Sequence, residues 1–391
     1  MKANPAVSAP MSFRSESRAP ILAGRHLPEL DGIRGIAICF VVVFHCSSIA
    51  SPATPLASFY VRVASIGWIG VDLFFVLSGF LITAILLDTF DSRNYFRSFY
   101  TRRILRIFPL YYLSVGLWTL AVWLLPSNFF EPNQTISTLS YWVYLQNWLP
   151  LFHVSPPKVL IHFWSLAVEE QFYLIWPIFI RYTAKRGTTQ TLCFVTVLVA
   201  VVLRAVLVLL GSTEVAFYFT LSRIDALAIG ACIAVYFRIR GTLVPFRRSG
   251  AAFFLIGSAT VLLIMFQQHG FYNLNPVVLL VGMFPLGLVF GCFLIVLLTG
   301  PGSGLLRVFF RNRVLRFIGR ISYGIYVFHW PIMLISKEVW PETIEDFWLR
   351  QIIFLMFVTT CSVAVAYLSF RYFEAPILSQ KNKLAPLESM C

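Results

Sequence analysis

The sequence predicts an all-α protein, a polytopic transmembrane bundle of about ten helices with both termini in the cytoplasm. Three observations carry this reading. Charged residues make up 12% of the 391 residues and hydrophobic ones 58%, whereas a soluble domain carries about 25% charged. The apolar residues fall in blocks of about 20, the length that crosses a bilayer as a helix. Ten such spans divide the loop and tail Lys and Arg 23 to 3 between the two sides, the asymmetry expected when basic loops stay in the cytoplasm.

The elements follow in order. Residues 1–30 are rich in Pro, Ser, Ala and Arg and read as a disordered basic tail, with no small-residue processing site after the first apolar block. Span one, 31–50, contains DGIRGIAICFVVVFHC; span two, 66–87, contains GVDLFFVLSGFLIT; span three, 108–125, follows the basic run RSFYTRRILRIFPLYY. In loop 126–162 the block LSYWVYLQNWLPLF (139–152) is short and is interrupted by Gln146 and Asn147. It reads as an interfacial or re-entrant piece, because an eleventh span would scramble the alternation of basic loops. Its aromatics suit either an acceptor site or an interfacial belt. Spans four to six cover 163–180, 188–210 and 220–237, the fifth containing VLVAVVLRAVLVLL. Spans seven to ten cover 250–267, 277–298, 318–336 and 350–373, so that the membrane domain runs from 31 to 375 and a short cytoplasmic tail from 376 to 391.

The net charge of +14 does not indicate nucleic-acid binding, since the cations cluster in alternate loops and not on one face. Seven scattered cysteines without a CxxC pair argue against a disulfide framework or a zinc site, and no metal is expected.

Ionisable residues at membrane depth are costly and mark function or specific pairing. Here they are Arg34, His45, Asp72, Glu169, Glu170, Arg204, Arg223, Asp225 and His329. With the predicted orientation, all but Arg34 and Arg204 fall in one layer roughly 5–11 Å below the outer boundary. Arg223, Asp225 and Arg204 are open to a second reading, as bundle-internal pairs that fix packing. Two histidines and four carboxylates at one depth suit acid–base chemistry.

Arg34 and His45 are eleven residues apart. At 100° per residue that is about 20° past three full turns, so both lie on one helix face, about 16 Å apart along it. Arg102, Arg103 and Arg106 add cations at the cytoplasmic end of span three. Guanidinium groups suit phosphate, although simple positive-inside anchoring also accounts for them. A ligand with a phosphate-rich head inside and a reactive tail three turns outward fits coenzyme A. The same layer would also suit a proton-coupled exporter of a glycan or lipid-linked intermediate.

Six segments in order, namely DGIRGIAICFVVVFH, GVDLFFVLSGFLIT, YTRRILRIFPLYY, HFWSLAVEEQFYLIWP, RIDALAIG and GRISYGIYVFHWPI, resemble the serial signatures of acyltransferase family 3. These are bacterial integral membrane O-acyltransferases of cell-surface glycans. The resemblance implies a protein of the inner membrane that takes an acyl group, acetyl in the commonest case, from cytoplasmic acyl-CoA to a glycan hydroxyl. It implies catalytic roles for His45, Asp72, Glu169, Glu170 and His329, with a carboxylate orienting His45. Arg34, Arg102, Arg103 and Arg106 would bind CoA, while Trp164, Arg223, Asp225 and Tyr323 would bind the acceptor. Many relatives carry a fused extracytoplasmic hydrolase-like domain. This sequence stops about 18 residues after its last span, so a separate extracytoplasmic transferase is one expected partner.

Overall fold

The computed structural model describes residues 21, 27–47, 49, 52, 54–124, 134–341 and 346–385. Most of the expected tail over 1–30, the start of loop 126–162 and the last six residues lie outside that set. The described residues contain helices and no strand.

The chain order is α1 (Pro28–Cys46), α2 (Pro55–Ala64), α3 (Ile69–Asp88), α4 (Tyr95–Leu124), α5 (Gln134–Trp142) and α6 (Trp164–Arg186). Then come α7 (Thr189–Leu209), α8 (Thr213–Tyr218), α9 (Thr220–Arg240), α10 (Arg247–Gln267) and α11 (Met283–Thr299). The last are α12 (Leu305–Phe310), α13 (Arg313–Arg320), α14 (Ser322–Glu338), α15 (Phe347–Ser369), α16 (Ala375–Ser379) and α17 (Lys381–Leu384). Local chemistry sets several ends. Pro28 opens α1, with Glu29 and Asp31 in its first turn, where a missing N–H is harmless and negative charge is favoured. Asp346 caps α15 by accepting from the Leu349 N–H at 2.7 Å. Gly187 and Gly241 end α6 and α9 in the left-handed region.

Seven helical segments among the described residues are long and apolar enough to cross a membrane: Pro55–Asp88, Tyr95–Leu124, Thr189–Leu209, Thr213–Arg240, Val244–Gln267, Val278–Thr299 and Phe347–Leu384. The other three expected spans exist as helices of a different kind. α14 is 17 residues long. α1 and α6 carry Glu29, Asp31 and Arg34, and Glu169, Glu170 and Arg181. α14 falls short by length, and α1 and α6 by charged residues, which a helix with a protein-facing side can carry.

Packing follows the same division. α3 and α9 are largely buried, whereas α10 turns Leu262, Leu263 and Phe266 outward. α3 and α9 meet backbone to backbone. A Cβ on Gly79 would overlap the Leu227 carbonyl, and one on Gly230 would overlap that of Val76. Small residues at a crossing let membrane helices approach closely when no aqueous driving force pushes them together. α1 packs in the same manner against α12 and α13 through Gly32, Gly35 and Gly319.

The described part of loop 126–162 holds no helix long and apolar enough to cross a membrane. It folds into α5 and two 3-10 turns, Gln146–Phe152 and Lys158–Phe163. Gln146 and Asn147, which interrupt its apolar pattern, fasten it to the bundle. Gln146 Nε2 donates to the Phe163 carbonyl at 2.9 Å, and Asn147 Nδ2 donates to Thr220 Oγ1 at 2.8 Å.

The α3–α9 crossing should tolerate no side chain. Gly79→Val is expected to cost about 1–3 kcal/mol or more through overpacking, while Gly302→Ala, with open space around it, should be neutral. Thermal unfolding in detergent should therefore show a lowered Tm for the first variant and an unchanged Tm for the second.

Candidate active site

Two cavities lie on either side of Val71 and Tyr326, which line both. The larger, about 480 Å3, is walled by His45, His162, Trp164 and Trp330 among others. The smaller, about 100 Å3, gathers Arg34, Arg103 and Arg106 with Glu169, Tyr173 and Tyr323. α1 serves both, with Arg34 in the small cavity and His45 in the large one.

His45 lies at the end of α1, partly exposed on its cavity wall. Its Nδ1 is 2.8 Å from Nε2 of His329, which α14 buries completely. His329 Nδ1 in turn lies 2.8 Å from the Tyr326 carbonyl and 3.0 Å from that of Ile325. A carbonyl only accepts, so His329 Nδ1 carries the proton and, in the neutral ring, Nε2 carries a lone pair. That lone pair accepts from His45 Nδ1–H, which leaves the lone pair of neutral His45 on Nε2. Trp330 packs edge-on against His45 with ring centroids 4.5 Å apart.

The carboxylates lie elsewhere. Asp72 pairs with Arg223 at 3.1 Å, and Asp225 pairs with Arg204 at 2.7 Å. All four residues are buried and line neither cavity. Arg204 also donates to the carbonyls of Ser222 and Leu279, and Arg223 is enclosed by Phe75, Trp164 and Phe217. Arg204 with Asp225 is an internal pair of the kind the second reading allows, whereas Arg223 takes Asp72 and not Asp225, and the two pairs tie α3, α7 and α9 together. Glu169 lies in the small cavity and accepts from the Ser78 hydroxyl at 2.6 Å. Glu170 leaves Oε1 buried without a partner among the described residues. The hydrogen-bonding partner of His45 is thus an imidazole, in the place expected of a carboxylate.

The arginines separate as well. Arg103 lies over the Tyr173 ring at 5.5 Å. Neither Arg103 nor Arg106 forms an ion pair among the described residues, whereas Arg34 is 3.5 Å from Asp31. Arg102 points away and donates to the Ala385 carbonyl at 2.6 Å. Trp164 lines the large cavity, and Tyr323 lines the small one while donating to the Ile107 carbonyl at 2.8 Å. Among the described residues of loop 126–162, only Ile161 and His162 reach the large cavity. Tyr144, by contrast, stacks on Tyr111 at 4.2 Å.

Sequence reasoning gave no role to His162, Tyr326 or Ser165, which the structure places on the cavity walls. Tyr326 precedes His329 by three residues, one turn along the same face, and that spacing was available. His162 lies on a 3-10 turn outside every apolar span, where periodicity gives no signal.

The family described as an acyltransferase domain matches residues 27–368, nearly the whole of this bundle. The chain belongs to acyltransferase family 3. The peptidoglycan O-acetyltransferase OatA of Listeria monocytogenes is 30% identical over 373 residues, covering 90% of this chain and 56% of that protein. YrhL of Bacillus subtilis is 32% identical over 378 residues, covering 91% and 55%, and the O-acetyltransferase OatA of Staphylococcus aureus is 26% identical over 385, covering 90% and 57%. The chain thus spans about half the length of the curated relatives it matches. No solved structure matches it. The matched family is described as an acyltransferase domain, which supports the enzyme reading of the chain over the exporter reading.

The Arg204–Asp225 pair should behave as a packing element of this fold. Asp225→Ala leaves a buried guanidinium uncompensated and is expected to cost about 3–5 kcal/mol, whereas an apolar replacement of both partners is often neutral. Thermal unfolding should show a large Tm loss for Asp225→Ala and a near-normal Tm for Arg204→Met combined with Asp225→Leu.

Proposed function

We propose that this chain is a membrane O-acyltransferase that moves an acyl group, acetyl in the first instance, from acyl-CoA to a hydroxyl of a peptidoglycan-like or other exported glycan. The observation that carries the reading is the hydrogen-bonded chain from the Tyr326 carbonyl through His329 to His45, ending on a cavity wall beside a three-arginine cavity. The names of the relatives support acetyl as the group and peptidoglycan as the acceptor class. The excess of Lys and Arg in alternate loops supports an inner-membrane orientation with the arginine cavity toward the cytoplasm.

In this mechanism Arg34, Arg103 and Arg106 hold the donor's phosphates. These are guanidinium–oxyanion contacts of the charge-assisted kind. The thioester passes Tyr326 to reach His45. The Nε2 lone pair of His45 takes the proton of the acceptor hydroxyl as its oxygen attacks the thioester carbon. The tetrahedral intermediate collapses, the C–S bond breaks, and the proton on Nε2 goes to the departing thiolate. The products are an ester and free CoA thiol. His329 fixes the His45 tautomer and accepts from Nδ1–H throughout, the service a carboxylate gives in a hydrolase triad. Glu169 lies with the arginines and sets the charge of the donor cavity. The buried Arg–Asp pairs tie together α3, α7 and α9, of which α3 lines both cavities.

Acetyl-CoA binding and turnover by the purified protein in detergent test this reading. Arg34→Ala and Arg103→Ala should each weaken binding by about 10- to 100-fold, as expected for a lost charge-assisted hydrogen bond of about 1.5–3 kcal/mol. Arg102→Ala, whose guanidinium is held by Ala385, should change affinity by less than about threefold. His45→Ala should bind acetyl-CoA normally and lose turnover by about 10²–10⁴-fold. Folded wild-type protein that binds no acyl-CoA would overturn the donor assignment.

A further inference from the structure

The large cavity contains a polar group that the mechanism above does not use. His162 is 3% exposed, and neither ring nitrogen has a hydrogen-bond partner among the described residues. A buried polar group without a partner costs about 1–3 kcal/mol and calls for an explanation. The other buried polar side chains of the wall are engaged. Trp68 Nε1 donates to the Phe271 carbonyl, Ser47 Oγ to that of Phe44 and Ser65 Oγ to that of Arg62. Trp330 Nε1 donates to the Lys158 carbonyl at 2.6 Å, and Tyr326 hydrogen-bonds to both Ser165 and the His162 backbone carbonyl. Among the buried side chains of this wall, His162 alone keeps its hydrogen-bonding capacity unspent.

Its position adds to this. The His162 ring meets His329 nearly at right angles, with centroids 5.5 Å apart, so it belongs to the same imidazole cluster as His45. Its carbonyl holds the hydroxyl of Tyr326, which with Val71 is shared by the two cavities. Three residues further along, Ser165 already lines the small cavity. His162 therefore lies at the junction between the arginines and His45, where a thioester carbonyl would arrive.

We propose that His162 is a further catalytic residue, donating a ring N–H to the acyl carbonyl oxygen. This rests on the acyl-CoA reading above. As the acceptor oxygen bonds to the thioester carbon, the carbonyl π pair moves onto oxygen. The His162 N–H hydrogen-bonds that oxyanion without giving up its proton. The pair returns as the C–S bond breaks, and His162 ends as it began. A neutral imidazole offers one donor and one acceptor, and a donor preorganised in a dry cavity stabilises charge that develops only in the transition state.

The test compares His162→Leu, His162→Phe and His162→Gln in the full chain. Each is measured for Tm, acetyl-CoA affinity and release of CoA thiol with a soluble N-acetylglucosamine–N-acetylmuramic acid oligosaccharide as acceptor. The two donor-free variants should bind acetyl-CoA within about threefold of wild type and turn over about 10²–10³-fold more slowly. His162→Gln, which keeps an N–H, should recover at least about tenfold of that loss. His162→Phe retains a ring against Tyr326 and His329, so it keeps the comparison if the leucine variant fails to fold. Turnover within about threefold of wild type in a donor-free variant overturns the assignment, as does a folded, donor-binding His162→Gln no faster than His162→Leu. If wild type releases no CoA thiol from acetyl-CoA, the acyl-CoA reading fails and this assignment falls with it.

Discussion

A 2.8 Å hydrogen bond between His45 and His329 joins residues 284 positions apart, and the candidate chemistry depends on it. The bond needs α1 and α14 fixed in both depth and rotation. Glycines set the first helix. Gly32, Gly35 and Gly319 let α1 lie directly on the backbone of α12 and α13, immediately before α14 begins. At the other end, Gln351 on α15 donates to the Cys46 carbonyl at 2.6 Å, pinning the terminal turn that carries His45. Hydrogen bonds from buried donors to free helix-end carbonyls satisfy groups that lipid cannot. The tautomer of His45 therefore follows from backbone geometry two steps away.

The bundle also separates structural charge from reactive groups. Arg204 with Asp225, and Arg223 with Asp72, neutralise one another inside the α3–α7–α9 core. Arg103 and Arg106, which form no ion pair among the described residues, are gathered with Arg34 in the small cavity. The large cavity is walled mainly by aromatic and aliphatic side chains around His45 and His162. A site with a charged end and a largely neutral end suits a long donor that is anionic at one end and carries a thioester at the other.

Much of this was legible in the sequence. Apolar blocks located every long helix, and the eleven-residue spacing put Arg34 and His45 on one face because the helical repeat is fixed. Rules of pairing were not legible. Hydropathy finds Asp72, Arg204, Arg223 and Asp225 at membrane depth but not which faces which, since their partners are set by helix crossings. Arg102 and Arg103 read alike in sequence, yet one residue of helical rotation sends the first to Ala385 and the second into a cavity. Gln146 and Asn147 read as interruptions and are fasteners. His162 stayed hidden because a 3-10 turn has no amphipathic period to reveal its inward face.

The most direct test of the account is a structure of the protein with a non-hydrolysable thioether analogue of acetyl-CoA. The account predicts phosphates against Arg34, Arg103 and Arg106, the chain passing Tyr326, and the acyl carbon within about 4 Å of His45 Nε2, the range of a near-attack arrangement. A donor whose acyl end lies away from the His45–His329 pair, with the arginine cavity empty, would contradict it.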